Sequence, residues 1–402
     1  MKRLLALFAA VCMLLCCAAA SAETYTATAQ GMGTVTVSVE LDGNEIKSVS
    51  VDAPNETPGI GDKAVQELPA AIVEAQSLAV DAVSGATVTS DAILAGVEEC
   101  LNLAGLAPEA FKTAVVESTP EQTAEDCEAD IVVVGGGGAG MTAAIKAAEQ
   151  GKNVILLEKM GMLGGNTAMG TTAYFAAESK TQKEQGSEVT VQDMYDWLMS
   201  KSTDEFPMDP DATMTVAENS AAAADWMMEI GMDLGRVFNK FFLSPSDGSA
   251  PGAAIVKALT EKMDSMGLDY RLENAGTALV LDENGKISGV TVSSPAGEYT
   301  IHAKAVVLAA GGFAANPEML SEYDARWASL GCSSSKGQNG DAIRMAMAIG
   351  ADVVDMSNIK VNPTVYYNGD KLISMSTLRS NGGLLVSKLG KRFFSESGNY
   401  TK

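Results

Sequence analysis

Polar and apolar residues alternate from Thr34 to Leu41, so that Val35, Val37, Val39 and Leu41 share one side of an extended chain. Asp42-Gly43-Asn44 supplies a turn, and a second alternating run from Ile46 to Val51 completes a hairpin. The spacing then becomes helical at about 62–76 and again at about 89–103. Residues 23–105 therefore read as a small α+β domain. A polar stretch without periodicity follows, with Pro108 and the run from Glu117 to Asp126, and 106–127 reads as a linker. At Ala129 the pattern switches to a continuous apolar run, Ala129 to Val134, of the kind carried by a strand buried on both faces. Glycines, a helical segment through Gln150 and a second apolar run ending at Leu157 come next, so 128–363 is expected to be α/β. Trp197, Trp226, Met227 and Met228 read as helix core.

The first 22 residues do not belong to this pattern. Lys2 and Arg3 precede an apolar run from Leu4 to Ala20, and Ala20-Ser21-Ala22 is a small-x-small cleavage pattern. These features predict a secretory signal and an exported protein, in the periplasm or on the outer face of the cell membrane. A membrane anchor is the alternative, although the run is marginal for spanning a bilayer. A lipid-anchored form is a further one, because Cys16 and Cys17 close the run.

Composition narrows the chemistry. The formal net charge is −23, and loss of the signal removes two positive charges and no negative ones. A chain this acidic repels phosphate backbones, so no nucleic-acid partner is expected. Cys100, Cys127 and Cys332 remain after the signal and form neither a CxxC pair nor a CxxCH haem site. His302 is the single histidine, which argues against a Ser-His-Asp triad or a histidine-based metal site. No metal is expected, and a cofactor must carry the chemistry.

Two segments point to which cofactor. Asp81-Ala82-Val83-Ser84-Gly85-Ala86-Thr87 lies just ahead of a helix whose expected N-cap is Thr89 or Ser90. The local pattern alone describes a capped helix start; a phosphate site is the functional alternative. The segment resembles the flavinylation signature of FMN-binding domains: an Asp, two variable residues, Ser or Thr, a small residue, Ala, then Ser or Thr. Glu56-Thr57-Pro58-Gly59-Ile60-Gly61-Asp62 resembles that family's other recurring segment. The resemblance implies covalent FMN, esterified to Thr87 by a separate flavin transferase, with Asp81 helping that enzyme to recognise or activate the site and Ser84 also at the cofactor.

In the second segment, Gly135, Gly137 and Gly140 satisfy GxGxxG between a strand and a helix, with Gly138 and Ala139 inside the motif. The first glycine permits a tight turn, the second lets backbone approach a pyrophosphate, and the third lets helix pack on strand. Glu158 ends the next strand, where an acid can accept both ribose hydroxyls. This pattern alone does not separate FAD from NAD. Gly164-Gly165-Asn166-Thr167, followed by Gly170-Thr171-Thr172, resembles the loop that wraps FAD in flavoproteins of the fumarate-reductase and urocanate-reductase type. Ala305 to Phe313, with Gly311 and Gly312, resembles their second dinucleotide-contacting strand and turn, and Gly340-Asp341-Ala342-Ile343 resembles their GDG-I element. The resemblance implies a Rossmann-like FAD domain in which Glu158, Lys159, Gly165, Asn166, Thr167, Gly170, Thr171, Gly311, Gly312 and Asp341 contact cofactor. Asp341 is expected to cap its helix, to face the flavin, or both.

The same family implies reduction of an α,β-unsaturated carboxylate against the flavin. Val361-Asn362-Pro363-Thr364 stands where the family has His-Pro-Thr, so Asn362 offers a hydrogen bond and no charge. Arg379 matches an arginine of the family's proton-delivery path, with a structural ion pair as the alternative role. Counting on in register, Tyr400 falls at the catalytic arginine position, which implies either a different acid or a register slip after Ser395. These departures favour a substrate with one carboxylate, such as urocanate, over fumarate. Family chains continue well past this point, which implies that the sequence is part of a longer protein ending here inside a capping domain that starts near 364. The reading is a reductase fed from a membrane or quinol-linked donor through FMN and FAD, as in anaerobic respiration. The alternatives are a non-enzymatic flavinylated electron carrier and an FAD-dependent dehydrogenase of the ketosteroid type.

Overall fold

The computed structural model describes residues 22–56, 61–80, 82–83, 86–112, 124–170, 173–204, 206–361, 365–368, 371–374 and 382–393. The chain divides into two units, 1–121 and 122–402. In the first, β1 (Glu23–Gln30), β2 (Thr34–Asp42) and β3 (Glu45–Asp52) form an antiparallel meander in that order. Val35, Val37, Val39 and Leu41 are buried, and Val37 pairs with Ala27 on one side and Val51 on the other. Side chains two apart face one way, so each strand feeds a single core. The Gly61–Ala75 helix adds Leu68 and Ile72 to that core, and the Thr87–Leu103 helix adds Ile93, Val97 and Leu101. Gly96 lets the second helix approach β2, because a Cβ there would lie 2.5 Å from Val37 Cγ2.

Two features of this unit depart from the sequence pattern. β1 is not announced by it, since only Tyr25, Ala27 and Ala29 mark its inner side. The stretch 106–127 is not wholly a linker either. Pro108–Phe111 is a 3₁₀ turn, Leu106 and Phe111 join the small core, and the Phe111 carbonyl accepts from Leu78 N at 2.6 Å and Ser77 Oγ at 2.8 Å. Two apolar positions are too few to register as a period.

Cys100 is buried under β2, and burial pushes its thiol up; Cys332 in the second unit is exposed. Brief alkylation of the folded protein should therefore label Cys332 well before Cys100. Equal labelling in a peptide map would contradict this packing.

The second unit is built on a six-stranded sheet. β4 (Cys127–Val134) and β5 (Val154–Leu157) are parallel and joined by the Gly138–Glu149 helix. The chain then forms a smaller three-stranded sheet from β6 (Tyr174–Phe175), β7 (Arg236–Asn239) and β8 (Phe242–Ser244) in the order β6-β8-β7. It returns through β9 (Asp269–Arg271), β10 (Ala275–Leu281), β11 (Ile287–Ser294) and β12 (Gly297–Leu308), giving the large-sheet order β10-β11-β12-β4-β5-β9. β12, β4, β5 and β9 run parallel, while β10 to β12 are an antiparallel meander. A short hairpin, β13 (Val365–Asn368) and β14 (Lys371–Ser374), lies later in the chain.

β4 explains its own continuous apolar sequence. Val133 packs with Met141, Ile145 and Leu259 on the helical face, whereas Val132 and Val134 pack with Val290, Val292 and Ile301 on the other. Trp226, Met227 and Met228 pack on the helical-face core from the Pro210–Glu229 helix, and Lys146 Nζ sits 4.4 Å above the Trp226 ring. Trp197 packs in a satellite core beside the small sheet, its ring 5.7 Å from Phe175 and 5.4 Å from Phe241. Among the described residues no helix is long and apolar enough to cross a membrane.

Candidate functional site

A cleft of about 300 Å³ opens at the carboxyl ends of β4, β5 and β12, where ligands of open α/β sheets bind. The glycine turn after β4 builds its floor. Gly135 has φ +112°, and a Cβ there would lie 2.6 Å from the Ala309 carbonyl oxygen. A Cβ on Gly140 would lie 1.8 Å from the Gly135 carbonyl oxygen, so Gly140 sits beneath the turn and not in the cleft wall. Gly137 behaves differently: its added Cβ meets nothing nearer than the Gly164 carbonyl oxygen at 3.9 Å, and it faces the cleft. Gly138 and Ala139 start the helix and line the same wall. Gly138 N donates to Thr167 Oγ1 at 3.0 Å, and the next amides of a first helical turn have no intrahelical acceptor. These amides and the helix dipole favour an anion at this spot.

Glu158 lies at the end of β5, 8 % exposed, with both oxygens engaged. Oε2 accepts from Gly136 N and Oε1 from Met160 N, each at 2.8 Å. A carboxylate has lone pairs left after two such bonds, so ribose hydroxyls still find acceptors. Replacing Glu158 by Ala strands both amides. We expect that to cost about 1–3 kcal/mol of stability and to weaken FAD binding roughly tenfold or more, read by thermal melting and flavin titration. Glu158→Gln, which keeps one acceptor, should fall between.

The wrapping loop supplies Gly165, Asn166 and Thr167 to the cleft. Asn166 Oδ1 accepts from Ser335 N at 2.7 Å, tying this loop to the polar segment before Gly340. Gly311 lines the cleft, whereas Gly312 stands behind it and donates to Gln338 Oε1 at 2.7 Å. Gly170 is also outside the wall; its carbonyl accepts from Gly252 N at 2.9 Å. Thr171 lies outside the described residues, as do Asp81, Ser84, Asn362, Arg379 and Tyr400.

Asp341 does not cap its helix. It is the first residue of the Asp341–Ala348 helix, and the cap position is Gly340 in a left-handed conformation, φ +78°. The Asp341 carboxylate instead pairs with Lys159, and both side chains line the cleft. At the first helical position Asp341 is one residue past the cap, so its carboxylate is left to pair with the ammonium. Several wall residues escape sequence reasoning, notably Asn274, Ser335 and Gln338. Asn274 is 3 % exposed; its N–H donates to the Glu158 carbonyl at 3.0 Å and its Oδ1 accepts from Tyr299 Oη at 2.6 Å. Arg271 donates to Tyr299 Oη at 3.1 Å, and its own pairing with Asp269 holds the guanidinium above its ordinary value. The cluster of polar residues just before Gly340 was the one signal available for Ser335 and Gln338.

The small unit presents a second, simpler feature. The Thr87–Leu103 helix begins at Thr87 and not after Thr89 or Ser90; its cap position is Ala86, which offers no side-chain hydrogen bond. Thr89 and Ser90 are buried in the first turn, because their hydroxyls are spent elsewhere. Thr89 Oγ1 donates to Glu56 Oε2 at 2.5 Å, and Ser90 Oγ accepts from Val83 N at 3.0 Å. Thr87 is exposed, and among the described residues its hydroxyl has no partner. An open hydroxyl at a helix start without an acidic side chain suits a phosphate.

Comparison with known proteins matches these two regions to two domains. Residues 30–102 match the FMN-binding domain and residues 130–402 the FAD binding domain. Urocanate reductase of Eggerthella lenta is 33% identical over 372 residues, which cover 89% of this chain and 61% of that protein. Fumarate reductase (cytochrome) of Shewanella frigidimarina is 31% identical over 293 residues, 71% of this chain and 50% of that one. The chain thus spans about half to three-fifths of the length of these relatives. The open conformation of a flavocytochrome c3 fumarate reductase superposes with a TM-score of 0.64 at 28% identity, covering 73% of this chain and 54% of that one. A 3-ketosteroid Δ4-dehydrogenase from Rhodococcus jostii, at TM-score 0.54 and 23% identity, shares the fold. Glycine turn, acid-ended strand and sequence match agree: the chain is similar to these urocanate and fumarate reductases, and it belongs to the FAD binding domain family, with an FMN-binding domain ahead of it.

Proposed function

We propose that this chain is the flavin-carrying part of an exported reductase of α,β-unsaturated carboxylates. Electrons from a membrane or quinol-linked donor enter at FMN esterified to Thr87, pass to FAD, and reduce an enoate as a terminal acceptor in anaerobic respiration. Two flavin domains in one polypeptide carry the reading, and relatives named for urocanate, fumarate and acrylate support the substrate class. A separate flavin transferase attaches the FMN. Export gives the covalent link a purpose, since flavin lost outside the cell is diluted away.

FAD, when bound, supplies hydride transfer to the substrate carbon. The chain's own residues hold and orient it. Gly137 and the amides of the Gly138 helix receive the pyrophosphate, Glu158 accepts the ribose hydroxyls, and Asn166 and Thr167 close the wall. Asn362 offers the substrate a hydrogen bond, and in the capping domain that starts near 364 Arg379 belongs to the proton-delivery path and Tyr400 stands at the position of the family's catalytic arginine.

The test is reduction by the full chain, produced with a flavin transferase, of urocanate, fumarate and acrylate by a reduced viologen dye. Dye oxidation dependent on one of these acids is expected, with urocanate favoured over fumarate. Oxidation of a saturated ketone with no enoate turnover would replace the reading by a dehydrogenase. Flavin reduction with no turnover of either would leave an electron carrier.

A further inference from the structure

We propose that Glu56 and Thr89 are a positioning pair that presents Thr87 for flavin attachment, an inference that rests on the attachment reading above. Glu56 is 5 % exposed, and a carboxylate so placed is costly unless hydrogen-bonded. Both of its oxygens are engaged. Oε1 accepts from Gly33 N at 3.1 Å in the β1–β2 turn, and Oε2 accepts from Thr89 Oγ1 at 2.5 Å. Two glycines make room for it. A Cβ on Gly31 would lie 2.4 Å from Glu56 Oε1, and one on Gly61 would lie 2.8 Å from Glu56 Cβ and 3.0 Å from Thr89 Oγ1. One carboxylate thus joins the β1–β2 turn to the first turn of the Thr87–Leu103 helix, beside Gly61 at the start of the Gly61–Ala75 helix.

That first turn lacks the usual means of fixing itself, because Ala86 at the cap position has no side-chain acceptor. Thr89 held down by Glu56, and Ser90 holding the Val83 amide, do this instead. Successive helical residues are rotated by about 100°. Position 89 lies two such steps, roughly 200°, around the helix from position 87, so locking 89 inward turns 87 outward, where its hydroxyl stands exposed. During attachment a bond forms between Thr87 Oγ1 and the phosphorus of the FMN half of a flavin dinucleotide. The pyrophosphate P–O bond breaks, the nucleoside monophosphate leaves, and the hydroxyl proton passes to a base on the transferase or to water. No electrons are exchanged. Glu56 is buried and committed to Gly33 and Thr89, so its part is orientation, and misplacing a nucleophile by a fraction of its reach has a large effect on rate.

The experiment incubates the full chain with a flavin transferase and flavin dinucleotide, and follows covalent flavin by in-gel fluorescence after denaturation. Far-UV circular dichroism and melting are recorded for each variant. Glu56→Ala and Thr89→Val should lower the maximal rate of attachment about tenfold or more while leaving the KM for the chain unchanged. Glu56→Gln, which can accept from Gly33 and donate to Thr89, and Thr89→Ser, which keeps the hydroxyl, should restore most of it. A merely structural pair would not be separated in this way, since attachment would track melting. If Glu56→Ala does not fold, Thr89→Val against Thr89→Ser decides, for these differ little in size. Folded Thr89→Val modified at the wild-type rate overturns the positioning pair alone. A wild-type chain that stays unmodified overturns attachment at Thr87 and this inference with it.

Discussion

Gly137→Ala should leave the apoprotein as stable as wild type while weakening FAD binding by roughly 10- to 150-fold, about 1–3 kcal/mol. The backbone at Gly137 is extended, φ −76° and ψ 177°, which alanine adopts without strain. Its new methyl would meet only the Gly164 carbonyl oxygen at 3.9 Å, an ordinary contact. Nothing in the folded chain therefore resists the substitution, and its whole effect falls on the ligand the cleft receives. Gly140→Ala is the opposite case. Its methyl would have to occupy the space of the Gly135 carbonyl oxygen, 1.8 Å away, so helix and strand must part. We expect about 3 kcal/mol or more of lost stability, with FAD binding lost in consequence. Thermal melting of the apoprotein and flavin titration separate the two. Equal destabilisation by both variants would mean that Gly137 serves packing and not a cofactor.

Thr87→Val should abolish covalent flavin, from one per chain to none, and leave melting of the small unit within about 0.5 kcal/mol of wild type. The side chain is exposed, and among the described residues its hydroxyl has no partner, so valine removes the nucleophile and no contact. Thr87→Ser should retain attachment, because a primary hydroxyl at the same helical position is at least as accessible. The measurement is flavin fluorescence in a denaturing gel, with a peptide map locating the adduct. Covalent flavin persisting in Thr87→Val would move the attachment point elsewhere, and the route by which electrons enter would have to be redrawn.

The contrast between these two sites shows which kinds of information lie along the chain. β2 and β3 are legible because their partners are neighbours: a two-residue period and the Gly43-Asn44 turn define a hairpin before any tertiary contact forms. The glycine turn was legible for a related reason. Gly135 needs a positive φ and Gly140 a missing side chain, and both demands restrict the residue at that position. The expectation of a cap at Thr89 or Ser90 failed because hydroxyls near a helix start have several local uses. Glu56, distant in sequence, claimed Thr89, while Ser90 bonded back to Val83. Pro108–Phe111 reads as linker in the sequence because its contacts, to Ser77 and Leu78, lie across the small core and leave no period along the chain.

The sequence by itself determined the β2–β3 hairpin, the strand–helix–strand unit of β4 and β5, and which glycines and which acid build the dinucleotide turn. Each of these is set by backbone conformation and by the period of burial, quantities fixed within a few residues of chain. Only the tertiary structure decided that Lys159 and Asp341, 182 positions apart, meet across the cleft, that Asn274 supports Glu158, and that Glu56 secures the helix of Thr87. Those contacts depend on the distances between elements after packing, and a one-dimensional pattern of side chains carries no term for them.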